Sequence, residues 1–343
     1  MSVIFVPLPY IVYLILVELG ASPDISRNAV NGFVAVAIGG PHMMSTFLRT
    51  GLDRDFNKRY PMLIRSSIII PVIVVSLAFL NLNLLLTVFF FWAAMHVLHQ
   101  ITYIVELYNH KESTFVRKGS AVSWPARLID YGVIMTCLFP FAALKISQGS
   151  FDIGTNDLTS VIPGFFQATW FFVVMTAAFA LAAFLFVAKS IREYRQGILN
   201  IPKTIFIVLT VGVAFTIPML DNLDTAFQGL NTWHSFQYLA ITFYIIKIRQ
   251  QMGDLDEKAP LVARFSRGKD SRGLFVLSTL MLVGSIGVFT AVYLVAPLVR
   301  PGIDGNLHFD IAYYTSILSF LWIHYYHDHF LFTNFEVLDK ASA

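Results

Sequence analysis

Residues 92–110, WAAMHVLHQITYIVELYNH, form the second half of a long apolar run. Five polar side chains in it follow one another at steps of three and four: His96, His99, Tyr103, Glu106 and His110. This spacing places all five on one face of a predicted helix. A polar stripe on a membrane-spanning helix is costly unless it faces protein, water or a metal ion. The stretch therefore predicts a helix that faces a buried polar site.

The composition places the whole chain in a membrane. Its 343 residues are 56% hydrophobic and 13% charged, with a mean hydropathy of +0.67, whereas a soluble domain has about a quarter of charged residues. We therefore expect an all-α, polytopic bundle of about ten transmembrane helices. The single cysteine, Cys137, excludes a disulfide framework and a cysteine metal site. Walker A, GxSxG and HExxH motifs are absent from the sequence.

Ten apolar segments have a plausible spanning length. They cover roughly 3–19, 29–48, 63–81, 84–106, 127–146, 164–188, 204–221, 228–248, 273–298 and 308–332. With this division, 21 of the 24 lysines and arginines fall on one side and 3 on the other. The positive-inside rule then predicts that both termini are cytoplasmic. We expect one transmembrane domain over 1–343, with 249–272 as its longest cytoplasmic loop.

Three more of these segments carry histidines that can meet the 92–110 face. They contain Pro41-His42, HSFQY at 234–238 and HYYHDH at 324–329. Neutral imidazoles without cysteine favour iron, copper or zinc. A single intramembrane histidine can instead serve only as a hydrogen-bonding group. Six intramembrane histidines on four helices, however, carry a large desolvation cost unless they have a common function. The candidate metal ligands are His42, His96, His99, His234, His324 and His327.

The depth of these histidines along their helices is not uniform. His42, His324 and His327 belong to the predicted cytoplasmic half. His234 precedes Lys247 by about 20 Å of helix, which places it nearer the outer half unless the helix is kinked or tilted. The alternative is that His234 is a neighbour of the site and not a ligand.

Several polar residues on the same segments can orient the imidazoles. Glu106, Asp328 and Tyr103 are the candidate catalytic or orienting groups, because carboxylates and hydroxyls commonly bond the second ring nitrogen of a ligating histidine. Gln100, Gln237 and Tyr238 are further candidates for this role.

The stretch Gly39-Gly40-Pro41-His42, together with paired histidines on later segments, resembles the Brp/Blh family of bacterial membrane β-carotene dioxygenases. The resemblance implies a polytopic protein in which histidines from several helices gather one non-heme iron. The matching positions are His42, His96 or His99, His234, and His324 or His327.

We therefore expect a membrane metalloenzyme of the oxygenase type, with non-heme iron and an isoprenoid or acyl chain as substrate. Copper, zinc and heme are alternative cofactors. A transporter with a proton or cation pathway and a heme-binding electron-transfer subunit are the rival functions. The expected partners are the lipid bilayer and a lipophilic small molecule, with no nucleic acid. The expected location is a bacterial inner (plasma) membrane. The oligomeric state stays open.

Overall fold

A computed structural model of the chain describes residues 6–115, 121–154 and 156–332. This part is almost entirely helical, in agreement with the predicted all-α class. Its α-helices are α1 Leu8–Glu18, α2 Pro23–Val34, α3 Gly40–Arg49, α4 Arg54–Arg59, α5 Pro61–Ser66, α6 Ile69–Leu80, α7 Leu82–Phe115, α8 Trp124–Thr136, α9 Phe139–Ser147, α10 Gly164–Gln167, α11 Thr169–Arg195, α12 Ile201–Thr216, α13 Leu223–Gln251, α14 Leu255–Lys258, α15 Pro260–Ser266, α16 Arg272–Leu280, α17 Val283–Val299 and α18 Gly305–Leu331. Two short strands, β1 Asp152–Ile153 and β2 Asn156–Asp157, pair antiparallel.

Six helical stretches in the described part are long and apolar enough to cross a membrane. They are Pro61–Leu80, Leu82–Ser113, Trp124–Ser147, Thr169–Arg195, Ile201–Met219 and Arg272–Val299. This supports the predicted membrane-protein class. The count of ten spans and the cytoplasmic termini stay predictions, and the ends of the chain, 1–5 and 333–343, lie outside the described residues.

The chain divides into two compact units. The single transmembrane domain over 1–343 stays a prediction. The first unit comprises Met1–Arg27 and Leu86–Leu230. In it, α11 and α12 pack against α8 and α9. A buried charged network joins four of its helices: Lys203 of α12 contacts Glu112 of α7 and Asp130 of α8, and Lys189 of α11 also pairs with Asp130.

The second unit comprises Asn28–Leu85 and Asn231–Ala343. Helix α18 is central in it, because it packs against α3, α6 and α17. Helix α16 packs against α3 as well. More than half of the α18 side chains are buried, including polar ones such as Ser319, His324 and Asp328. A helix with buried polar groups on several sides needs hydrogen-bonding partners on its neighbours.

The predicted loop 249–272 contains two short helices, α14 and α15. Their apolar side chains Leu255, Val262 and Ala263 are fully buried against Leu48 and Ile246. The segment is therefore packed onto α3 and α13.

Candidate metal centre

Three buried histidines of the second unit lie together. They come from three different helices: His42 from α3, His234 from α13 and His324 from α18, with 1%, 2% and 0% of their surface exposed. The ring centroid of His42 is 4.7 Å from that of His234 and 4.5 Å from that of His324. Both pairs of rings meet edge to face.

The three histidines can act together as metal ligands. Each offers one ring nitrogen, and these nitrogens all lie within 4.8 Å of one another. His42, His234 and His324 could hold one metal ion, and all three are among the six ligands predicted from the sequence. His96, a fourth predicted ligand, is buried on α7 of the first unit.

The backbone before His42 is unusual for a helix. The turn Ala35–Gly39 is a π-helix, and α3 begins directly after it with Pro41 in its first turn. Pro41 cannot donate a backbone hydrogen bond, so the helix is interrupted at this point, and π-turns often accompany functional sites. Gly40 lets α3 approach Leu282 closely, because a Cβ at Gly40 would lie 2.5 Å from the Leu282 side chain.

A serine orients the ring of His42. Ser235 Oγ, one residue after His234, lies 2.9 Å from His42 Nδ1. Ser235 Oγ also lies 3.4 Å from Asn231 Oδ1, which can only accept, and this contact favours the arrangement in which Ser235 accepts the Nδ1 proton of His42. The lone pair of His42 is then on Nε2. That nitrogen is buried and has no hydrogen-bond partner among the described residues.

A threonine and an aspartate orient the ring of His324 in the same way. Thr46 Oγ1 forms a hydrogen bond with His324 Nδ1, and Asp328 Oδ2 lies 3.4 Å from the same nitrogen. Thr46 donates to Asp328 Oδ1 at 3.2 Å, which leaves its oxygen to accept the proton of His324 Nδ1. Nε2 of His324 therefore carries the lone pair.

Tyr238 completes this network. Its hydroxyl donates to Asp328 Oδ1 at 2.6 Å and lies 2.6 Å from Thr46 Oγ1. Tyr238 follows His234 by one helical turn, as Thr46 follows His42 and Asp328 follows His324. Residues four apart share a helical face, so each of these three helices presents one histidine and one polar partner in the same direction. The predicted orienting role of Asp328 and Tyr238 fits this geometry.

The donor set is suited to a transition metal. Histidines that bind metal usually donate their other ring N–H to a carboxylate or another oxygen, as His42 and His324 do here. As far as the described residues go, the group contains no carboxylate and no cysteine. Neutral imidazole nitrogens alone favour iron, copper or zinc over calcium or magnesium.

Two further predicted ligands lie outside the group of three. His327 is buried, but Ser67 Oγ lies 2.7 Å from its Nε2 and Thr50 Oγ1 lies 3.0 Å from its Nδ1. Both of its nitrogens are thus bonded by hydroxyls. His99 is partly buried on α7 of the first unit.

The first unit holds the other two predicted site residues, Glu106 and Tyr103. The Glu106 carboxylate accepts hydrogen bonds from Arg127, Tyr131 and Asn109. It therefore takes part in an ion pair between α7 and α8, and its predicted orienting role stays a prediction. Tyr103 is buried on α7, with 3% of its surface exposed.

Ser235 and Thr46 are not among the predicted site residues. A signal was present for Thr46, which follows His42 at a spacing of four. Ser235 carried no such signal, because it contacts a histidine of another helix.

Comparison with family models, with curated proteins and with solved structures finds no match to this chain.

Proposed function

We propose that the chain is a membrane-embedded metalloenzyme whose histidines hold a non-heme iron and act on a lipophilic substrate. The observation that carries the proposal is the shared orientation of His42 and His324. Nδ1 of each ring is hydrogen-bonded to a hydroxyl, which leaves Nε2 as the nitrogen that can ligate a metal. This is the arrangement in which an imidazole is ready to ligate a metal.

The spacing of the three histidines supports a non-heme ion. Their ring nitrogens all lie within 4.8 Å of one another, which suits direct ligation of one metal ion by all three. A bound metal supplies Lewis-acid or redox chemistry in a site that is closed to water.

Asp328 and Tyr238 have two tasks in this proposal. Asp328 is fully buried, and its negative charge offsets part of the positive charge that neutral ligands leave on a metal. Tyr238 and Thr46 hold that carboxylate in place.

The apolar surroundings of the histidines support a lipophilic substrate. The helices of the chain are apolar, and an isoprenoid or acyl chain dissolved in the bilayer can reach a buried site laterally. We propose further that all ten predicted segments cross a bacterial inner membrane with both termini in the cytoplasm, because 21 of the 24 basic residues then lie inside.

Elemental analysis and an absorption spectrum of the detergent-purified protein test this proposal. We expect stoichiometric iron without a Soret band in the wild type, and its loss in a His324→Ala variant. His327→Ala is the matched control, because His327 is also buried, lies one turn away on α18 and has hydroxyl partners on both nitrogens. It should keep its iron.

Each other outcome has a distinct meaning. Copper or zinc in place of iron would keep the metal site and change the chemistry. A Soret band would replace the non-heme site by heme. An absence of metal from wild-type protein, purified and then incubated with ferrous iron under argon, would overturn the proposal.

A further inference from the structure

A second polar site lies within the second unit, at the cytoplasmic ends of α3, α13 and α18 as predicted from the sequence. It is a cavity of about 750 Å³. Its basic side chains are Arg49, Lys58, Arg59, Arg249 and Lys258. Four acidic residues line the same cavity, so that basic groups are in excess.

The acidic residues are mostly engaged in ion pairs with two of the basic ones. Asp53 accepts from Arg249 Nη1 at 2.5 Å, and Asp254 accepts from Arg249 Nε at 3.1 Å. Lys258 Nζ lies 2.5 Å from Asp254 and 2.8 Å from Asp55. Arg249 and Lys258 are thereby neutralised within the cavity wall.

Arg49 has no such partner. Its side chain lines the cavity with only 9% of its surface exposed, and it forms no hydrogen bond or ion pair with any other described residue. Asp328 and Tyr238 interact with the Arg49 charge, but neither approaches within the 4.0 Å of an ion pair. A largely buried guanidinium that lines a cavity without a direct ion pair or hydrogen bond has its N–H donors available for a bound anion.

We propose that this cavity binds a phosphate-type anion on the Arg49 guanidinium. The planar fork of arginine donates two parallel hydrogen bonds to phosphate oxygens. Lys58, which is exposed on α4 and has no ion pair with a described carboxylate, adds a second positive charge at the cavity wall. The anion can be the head group of a lipid or a free phosphate, and both have the same chemistry.

The anion site is separate from the histidine centre but lies on the same helices. Arg49 follows His42 by seven residues on α3, and Leu331, which also lines the cavity, follows His324 by seven residues on α18. At 1.5 Å per residue this is about 10 Å. Binding of the anion therefore does not depend on a metal, and the two proposals can fail independently.

Binding to the full-length, detergent-purified chain tests the proposal with three probes: inorganic phosphate, dihexanoyl phosphatidic acid and the zwitterionic dihexanoyl phosphatidylcholine. We expect calorimetric titration to show saturable binding of at least one of the two anions and not of phosphatidylcholine. Arg49→Gln should weaken this binding roughly tenfold or more, since it removes a charged hydrogen bond. The exposed substitution Lys58→Gln, which leaves the packed core untouched, should weaken it by a smaller factor.

Arg267→Gln is the matched control. Arg267 pairs with Asp256 on the surface, 2.9 Å away, outside the cavity. This variant and His324→Ala should both bind the anion as the wild type does. Binding of phosphatidic acid alone identifies a lipid head group, and equal binding of phosphate identifies a free anion. No saturable binding of either anion, or equal affinity in the wild type, Arg49→Gln and Lys58→Gln, would overturn the proposal.

Discussion

Ser235 Oγ lies 2.9 Å from Nδ1 of His42, although the two residues belong to different helices, α13 and α3. Both side chains are buried. The neighbour of Ser235 in the chain, His234, lies edge to face with the same imidazole ring. One turn of α13 thus provides both a candidate ligand and the group that orients a second one.

We expect Ser235→Ala to lower metal affinity about 10–100-fold, the usual effect of losing a partner that orients a metal ligand. The fold should persist, since only one hydroxyl is removed. Competition with a chromophoric chelator measures the affinity. Ser278→Ala removes an equally buried hydroxyl that bonds the Leu274 carbonyl of its own helix, and it should leave metal affinity unchanged. Equal affinities in the two variants would contradict the assigned orientation of His42.

Asp328→Asn should weaken metal binding by a similar factor of about 10–100. The substitution keeps the shape of the side chain but removes the charge beside His324 and replaces one acceptor by a donor that faces Tyr238 or Thr46. The ratio of metal to protein after dialysis against graded chelator concentrations measures the effect. Asp310→Asn changes a similarly buried aspartate on α18 and should keep wild-type metal content; a loss in both variants alike would point to general instability of α18.

Gly40→Ala should destabilise the protein by about 1–3 kcal/mol, the usual effect of overpacking. The added Cβ would lie 2.5 Å from Leu282 Cδ2 and 2.6 Å from the Ala35 carbonyl oxygen. The oxygen is backbone and cannot move away easily. Gly32→Ala is the control, since its Cβ would meet nothing within 4 Å, and it should be neutral or stabilising. Chemical unfolding in mixed micelles compares the two, and equal stability would show that α3 does not depend on this close approach.

The helical class and the candidate histidines could be predicted from the sequence because both depend on local patterns. Long apolar runs predict membrane helices, and histidines within them are conspicuous. The spacing did not separate His324 from His327, which are three residues apart and lie on neighbouring parts of one face. Their different surroundings come from Thr46, Thr50 and Ser67, which are more than 250 residues away in the chain.

Counting residues from the cytoplasmic loop was a weaker guide to depth. By this count His234 was expected nearer the outer half, yet its ring packs against that of His42. Glu106 shows a second limit of the sequence pattern. It lies on the predicted polar face of α7, but its carboxylate accepts a hydrogen bond from Arg127 of α8. The spacing of residues along α7 does not predict this pairing, because the pairing depends on tertiary packing.

We expect the second unit to lose stability in acid because the Asp254 carboxylate becomes protonated. Burial alone raises the pKa of Asp254, but hydrogen bonds from Lys258 and Arg249 outweigh it and lower the pKa below its ordinary value. A carboxyl group whose pKa is lowered by folding stabilises the folded state fully above its ordinary pKa of about 3.9. This stabilisation is lost as the pH falls through the folded-state pKa. The melting temperature should therefore fall more between neutral pH and pH of about 3 in the wild type than in Asp254→Asn. Glu257→Gln, an exposed change on the same helix, should keep the wild-type profile.

Lys203 should be the most sensitive charged residue of the first unit. Its ammonium is 2.9 Å from Asn109 Oδ1, 3.1 Å from Glu112 Oε2 and 3.6 Å from Asp130 Oδ2, and only 1% of the residue is exposed. Lys203→Met keeps most of the volume but leaves the Glu112 carboxylate buried without its cation. Breaking one side of a buried pair costs about 3–5 kcal/mol.

A double variant that also changes Glu112 tests whether this loss of stability comes from the uncompensated charge. In Lys203→Met/Glu112→Gln the buried carboxylate is gone as well, so that we expect the double variant to regain part of the stability lost by Lys203→Met. Asp130 keeps Lys189 in both variants. Arg272→Met, which breaks an exposed pair with Asp270, is the control and should change stability by less than about 1 kcal/mol. If the double variant is as unstable as Lys203→Met, the loss arises from packing of the lysine side chain and not from the stranded charge.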